Sequence, residues 1–230
     1  MDSLLKKEYE KYIEFLKTPK FSDVKFTNPL LIDYDSEKYS GKDKIMILGQ
    51  ETFDWEGDFN TKFEDNLLDH LLKVYRDFYW GEGCFNSRRG AFWNEYRSLR
   101  DEYNKINNET IFVWNNILKI GRVGAAGHLD DDIINAFIDY EIIQKELDVI
   151  KPKGLIFYTG PYYDWYIERV FKKIEIKEVD GFKRNELSII KIESEGLTGF
   201  RTYHPGYLNR MKKGKKVEIR NKIIELMSSL

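Results

Sequence analysis

Three short, unbroken apolar runs constrain this chain more than any other feature of it. They are Lys44-Ile45-Met46-Ile47-Leu48-Gly49, Thr110-Ile111-Phe112-Val113-Trp114 and Gly154-Leu155-Ile156-Phe157-Tyr158. Runs of this length without polar alternation are buried on both faces, as parallel strands under helices are. A fourth core strand, near Gly199 to Tyr203, feeds the His204-Pro205-Gly206 turn. Helical spacing fills the intervals. Leu5, Tyr9, Tyr12, Ile13 and Leu16 share one face of a first helix, closed by Pro19. Further helices are predicted over about Thr61 to Phe78, Ala91 to Tyr103, Asp131 to Ile150 and Val217 to Leu226. A polar stretch through Gly41 precedes the first strand, and Lys172 to Val179 with Leu187 to Ile192 reads as a β-hairpin turning near Gly181. Strands alternating with helices predict an α/β protein, a three-layer α/β/α sandwich around a mostly parallel sheet of about four strands. A length of 230 residues suits one domain.

Composition narrows the class. Hydrophobic residues make up 42% of the chain and aromatic residues 15%, ample for a core. Core filling is the ordinary use of aromatic rings, and nucleobase stacking is a second. Cys84 is the one cysteine, which excludes an intrachain disulfide and a multi-cysteine metal site. No apolar run approaches the roughly 18 residues of a membrane span, and Met1 to Lys20 carries no secretory apolar block. A reducing, cytoplasmic setting and a monomer are expected. Neither a phosphate-cradling loop motif nor an H-E-x-x-H motif is present. No metal or organic cofactor is expected.

The net charge of −2 is not that of a typical nucleic-acid binder. Its distribution is uneven, however. Arg201, Arg210, Lys212, Lys213, Lys215, Lys216 and Arg220 face Glu218 alone. This cluster reads either as a phosphate-binding surface or as the solvated start of the last helix.

Ligands of open α/β sheets bind beyond the carboxyl ends of the strands. Those ends carry Gly49-Gln50-Glu51, Asn115-Asn116, Thr159-Gly160 and His204-Pro205. A carboxylate can activate water, an amide can read a base edge, and an imidazole can donate to a developing oxyanion. Each has a structural alternative: Glu51 as a helix cap, Asn115 as a loop hydrogen-bonder, His204 as a turn residue. Convergence at one sheet edge favours the functional reading.

The ordered motifs resemble those of uracil-DNA glycosylases. Gly49-Gln50-Glu51-Thr52-Phe53 resembles G-Q-D-P-Y, and Phe112 to Leu118 resembles the L-L-L-N-x-x-L strand. Cys84-Phe85-Asn86 is similar to C-F-S, and Gly124 to His128 to A-x-x-A-N-S-H. Gly154 to Gly160 resembles G-L-V-F-L-L-W-G, and His204 to Leu208 resembles H-P-S-P-L. The likeness runs over residues 44 to 220, with an N-terminal helical extension over about 1–40 and a longer link, an insertion, at about 54–84.

The resemblance implies hydrolysis of the N-glycosidic bond of uracil, or a related base, flipped out of single- or double-stranded DNA. It gives Glu51 the water and His204 the carbonyl oxygen of the departing base. Asn115, with Gln50, reads the polar edge, Phe85 stacks on the base, and Phe53 presses on its C5 position. Leu208 fills the gap in the DNA stack, beside the cations Arg210, Lys212 and Lys213. The physics is coherent, because extruding a base costs a few kcal/mol that stacking and edge contacts must recover.

Departures from the pattern are equally informative. Glu51 stands for Asp and reaches about 1–1.5 Å further. Thr52 stands for Pro, Asp54 for His, and Gly206-Tyr207 for Ser-Pro. They leave two other expectations open: a DNA- or nucleotide-binding module without hydrolysis, and a hydrolase of a free nucleoside, which the acidic pI of about 6.0 favours.

Overall fold

The apolar runs become neighbours in one mixed sheet. Its strands are β1 (Lys44–Gly49), β2 (Ile111–Asn116), β3 (Gly154–Phe157), β4 (Ile174–Glu178), β5 (Leu187–Ile192) and β6 (Leu197–Thr202), in the order β2-β1-β3-β6-β5-β4. The computed structural model describes residues 1–59, 66–83, 90–107, 109–127 and 129–230. Strand β3 pairs in parallel with β1 and with β6, with Ile47 opposite Ile156 and Ile156 opposite Phe200.

Six strands replace the four expected. The predicted hairpin forms as β4 and β5, but it does not stand apart from the core. Strand β5 pairs antiparallel along the whole of β6, from Leu187 opposite Thr202 to Ile192 opposite Leu197. This pairing satisfies the backbone groups that β6 would otherwise leave open at its edge. Strand β4, with largely exposed side chains, is the new edge.

The residues gather into two compact units. The second unit holds Gly41–Gln50, Glu82–Trp114 and Pro152–Leu230. Its helices are α3 (Ala91–Asn104), α6 (Asp164–Phe171), a short α7 (Pro205–Leu208) and α8 (Lys215–Met227). Helix α3 buries Trp93, Tyr96, Leu99 and Tyr103 at three- and four-residue spacing, as its sequence predicts.

The first unit comprises Met1–Ser40, Glu51–Gly81 and Asn115–Lys151. It carries α1 (Ser3–Leu16), α2 (Leu67–Tyr75), α4 (Asp131–Asp139) and α5 (Ile142–Ile150). Helix α1 starts on Asp2, whose carboxylate accepts from the amides of Leu4 and Leu5. The helix predicted from Asp131 to Ile150 is broken in two, because Glu141 takes a left-handed conformation at φ 61°. Helix α2 runs on through Arg76–Trp80 with wider turns, shown by Gly81 N donating to Arg76 O at 2.8 Å.

The stretch before β1 is not the polar connection expected. Residues 26–34 are buried throughout although they form no regular helix or strand. Neighbouring loops supply their backbone partners: Thr27 N donates to Gly121 O at 3.0 Å and Leu30 N to Lys119 O at 2.8 Å. Gly121 is obligatory there, since a β-carbon would lie 1.9 Å from Thr52 O.

A charged cluster sits inside this unit. Glu146, wholly buried, accepts from Tyr9 Oη at 2.6 Å and Lys119 Nζ at 2.7 Å on one oxygen. Its other oxygen accepts from Asn115 Nδ2 at 2.7 Å. Lys119 also donates to Asn115 Oδ1 at 2.6 Å, and Ile32 N donates to Tyr9 Oη at 3.0 Å. Burial pushes the Lys119 ammonium below its ordinary pKa against the pull of Glu146. Burial, then the Glu146 charge, pushes the Tyr9 hydroxyl well up. Removing one member of such a pair strands the other charge at a cost of about 3–5 kcal/mol, whereas removing both is far milder. In urea denaturation, Lys119→Met and Glu146→Leu should each cost about 3 kcal/mol, and the double variant should cost at least about 1 kcal/mol less than their sum. Strict additivity would show the pair is not coupled.

Candidate active site

Three parallel strand ends in the second unit build one pocket. Gln50 follows β1, Thr159 lies just beyond β3, and Tyr203 and His204 follow β6. Gln50 Nε2 donates to Thr159 O at 2.9 Å and clamps the first two ends together. The chain then reverses at Gly160, whose φ of 78° favours glycine, and Gly160 N donates to Thr202 O at 2.9 Å. Pro161 opens a single 3₁₀ turn, Pro161–Tyr163, that leads into α6, with proline at the first position of the turn. The result is a pocket of about 380 Å³ lined by Gln50, Thr159, Tyr162, Tyr203, His204 and Arg210, with Tyr207 at its side.

His204 is held by its own turn. Its Nδ1 accepts from Gly206 N at 3.1 Å, capping the first turn of α7. In the neutral ring this places the proton on Nε2, the tautomer that can donate to a carbonyl oxygen. The imidazole also stacks on Phe92 of α3, with centroids 5.9 Å apart and planes 20° apart. Gly206 keeps that cap close, since a β-carbon would lie 3.2 Å from Nδ1. The Thr159 hydroxyl is buried and has no hydrogen-bond partner among the described residues. An unsatisfied buried hydroxyl is costly.

Tyrosines contribute more than the sequence assigns them. Tyr203 and Tyr207 lie ring on ring across the His-Pro-Gly turn, with centroids 4.2 Å apart and planes 31° apart. The Arg210 guanidinium lies 5.3 Å from the Tyr207 centroid. Tyr162, 86% exposed, comes from the opposite strand end. Burial, then Tyr207, raises the Tyr203 hydroxyl pKa. The spacing of Tyr203 and Tyr207, four residues with a strand-to-helix turn between, matches no single period, so a periodicity search passes over the pair.

The basic cluster divides into two kinds. Arg201 is 1% exposed and buried in the fold. Its Nε and Nη2 donate to the two Asp164 carboxylate oxygens at 2.9 and 3.1 Å, Nη1 to Asn185 O at 3.1 Å, and Nη2 also to Ser188 Oγ at 3.2 Å. Arg220, also buried, joins Glu102 at 2.9 Å and Glu95 at 3.0 Å. Lys215 pairs with Glu186 and Glu218, and Lys216 with Glu95. Arg210, Lys212 and Lys213 are exposed and have no carboxylate partner among the described residues. Only these three of the seven are placed to meet a phosphate.

Apart from Leu208, the other expected site residues lie in the first unit or outside the described residues. Glu51 is half-buried, and its Oε1 accepts from Gly127 N at 3.2 Å. Thr52 is buried with its Oγ1 2.9 Å from Thr27 Oγ1, a hydrogen bond that anchors the segment after Glu51. Phe53 is 63% exposed.

Two expectations are corrected. Asn115 is wholly buried, with both ends of its amide engaged by Glu146, Lys119 and Asn116 N, so it cannot read a base edge in this arrangement. Leu208 is 2% exposed because α7 turns it inward, so it is a core residue rather than a wedge for DNA. Cys84, Phe85, Asn86, Arg88, Arg89 and His128 lie outside the described residues.

No protein-family model matches the chain, and no curated protein matches it. Among the described residues no group of three or more His, Cys, Asp or Glu is placed to hold a metal ion, and no helix is long and apolar enough to cross a membrane.

The pocket depends on Arg201, which joins the end of β6 to the start of α6. Arg201→Met should lower the urea midpoint at constant m-value, by an amount equivalent to about 3 kcal/mol, because Asp164 loses its partner. A cost below about 1 kcal/mol would show that the strand end is held otherwise.

Proposed function

We propose that this chain hydrolyses the N-glycosidic bond of uracil, or of a related base, flipped out of DNA, on a three-layer α/β/α scaffold. The observation that carries the reading is His204, held at a strand end by its Nδ1, which accepts from Gly206 N at 3.1 Å. Aromatic faces and two polar strand ends surround it, as a planar heterocycle with carbonyl and imide edges requires.

In the proposed reaction the bond between the sugar C1′ and the base nitrogen breaks, and its electron pair leaves with the base. His204 Nε2–H donates to the base carbonyl oxygen, where that charge collects. Water adds to C1′ and gives up its proton to Glu51, the role that the motif resemblance assigns to this carboxylate. With Asn115 committed elsewhere, edge reading passes to Gln50 and Thr159. Gln50 Oε1 accepts from a base N–H, while the Thr159 hydroxyl, without a partner among the described residues, donates to a carbonyl.

A second reading, a nucleotide-binding module without hydrolysis, draws on one feature. The described lining residues offer aromatic, amide and cationic groups but no carboxylate. One assay separates the two. Base release is followed from oligonucleotides carrying U, T, hypoxanthine or xanthine, with Glu51→Gln and His204→Asn alongside. Release of one base should be reduced about 10²-fold or more by each substitution. Binding without release of any base would replace the enzyme with the binding module, and an unchanged rate in both variants would remove the assigned roles.

A further inference from the structure

The three tyrosines and three cations without a carboxylate partner among the described residues ask for a larger ligand than one base. Tyr162, Tyr203 and Tyr207 rim the pocket, with Arg210 at the outer end of the ladder. Tyr162 is 86% and Tyr207 45% exposed, so ring surface remains for a further partner. Lys212 and Lys213 follow Arg210 on the exposed turn before α8.

Inside a duplex each base face is covered by its neighbour, and a protein opening the stack needs an apolar side chain to fill the gap. Leu208, the residue the motif offers for that task, is buried. Unpaired nucleotides, in contrast, expose both base faces and bind aromatic rings interleaved with cations along their backbone. The chain's negative net charge does not oppose this, because this surface carries Arg210, Lys212 and Lys213 without carboxylate partners among the described residues.

We infer that Tyr162, Tyr203 and Tyr207, with Arg210, Lys212 and Lys213, form a stacking platform for the unpaired nucleotides beside the bound base, which makes single-stranded DNA the preferred substrate. The inference rests on the proposed reading of the pocket and adds its substrate class. Tyr162 and Tyr207 stack on the flanking bases, while the three cations meet consecutive phosphates. The guanidinium of Arg210 can serve either as a stacking plane or as a phosphate donor.

The test uses the full chain and a labelled oligonucleotide without uracil, as a single strand and as a duplex, by fluorescence anisotropy over a range of salt. The single strand should bind more tightly than the duplex. Tyr162→Ala and Tyr207→Ala should each weaken single-strand binding about 5- to 100-fold, whereas Tyr162→Phe and Tyr207→Phe should retain it, since stacking needs the ring and not the hydroxyl. Replacing Arg210, Lys212 and Lys213 together by Gln should flatten the slope of log affinity against log salt by about 2, at about 0.7 per phosphate contact. Circular dichroism of each variant confirms folding, which exposed positions should not disturb. Equal affinity for single strand and duplex, or alanine variants that bind as the parent does, would overturn the platform.

Base release measured in parallel keeps the two claims apart. Single-strand binding that depends on the tyrosines, without release of any base, would leave the platform standing and remove the glycosylase. Equal release from single strand and duplex, untouched by the tyrosine changes, would do the reverse.

Discussion

A buried guanidinium holds the candidate site in shape. Taking Arg201 out of water costs several kcal/mol unless its donors are matched, and four hydrogen bonds match them. The partners come from separate stretches of the second unit: Asp164 at the start of α6, and Asn185 and Ser188 on the approach to and within β5. Arg201 lies three residues before His204, and Asp164 two residues after Tyr162, so one ion pair fixes opposite walls of the pocket. Its planar, forked geometry suits this task as a lysine's point charge would not.

The buried cluster of the first unit works in a similar way around Glu146, and it explains the fate of Asn115. An amide with a donor and an acceptor is as useful for satisfying a buried Lys–Glu pair as for reading a base. In this chain Lys119 and Glu146 claim both of its ends. The nearby Thr27, Thr52 and Gly121 contacts show the same economy, holding the segment after Glu51 by hydroxyl hydrogen bonds and a close glycine approach. A residue type read from the sequence can thus be in place while its contacts serve the fold.

Much of the sheet was legible because burial on both faces leaves an apolar run that needs no partner to be recognised: β1, β2 and β3 fall where those runs are. The hairpin was legible from its two segments and turn, but not its attachment to β6, since strand pairing is a contact between distant parts of the chain. Charge was the least legible. Arg201 and Arg220 look like neighbours of Lys212 and Lys213 in the sequence, yet their carboxylates lie at Asp164, Glu95 and Glu102, far away along the chain. Leu208 failed as a wedge for a related reason, because only the direction of α7 decides whether it points inward. The strand-end positions of Gln50, Thr159 and His204 followed from the α/β alternation alone, and the Tyr203–Tyr207 pair required coordinates.

The central claim is that the strand-end pocket takes a nucleobase among its tyrosines. The most direct measurement follows ring resonances of isotope-labelled tyrosine by NMR while single-stranded DNA carrying one deoxyuridine is added to the Glu51→Gln chain. The account predicts ring-current shifts at Tyr162, Tyr203 and Tyr207, with buried Tyr9, Tyr12 and Tyr96 unmoved as internal references. Saturating DNA that leaves the three pocket tyrosines unshifted would contradict it.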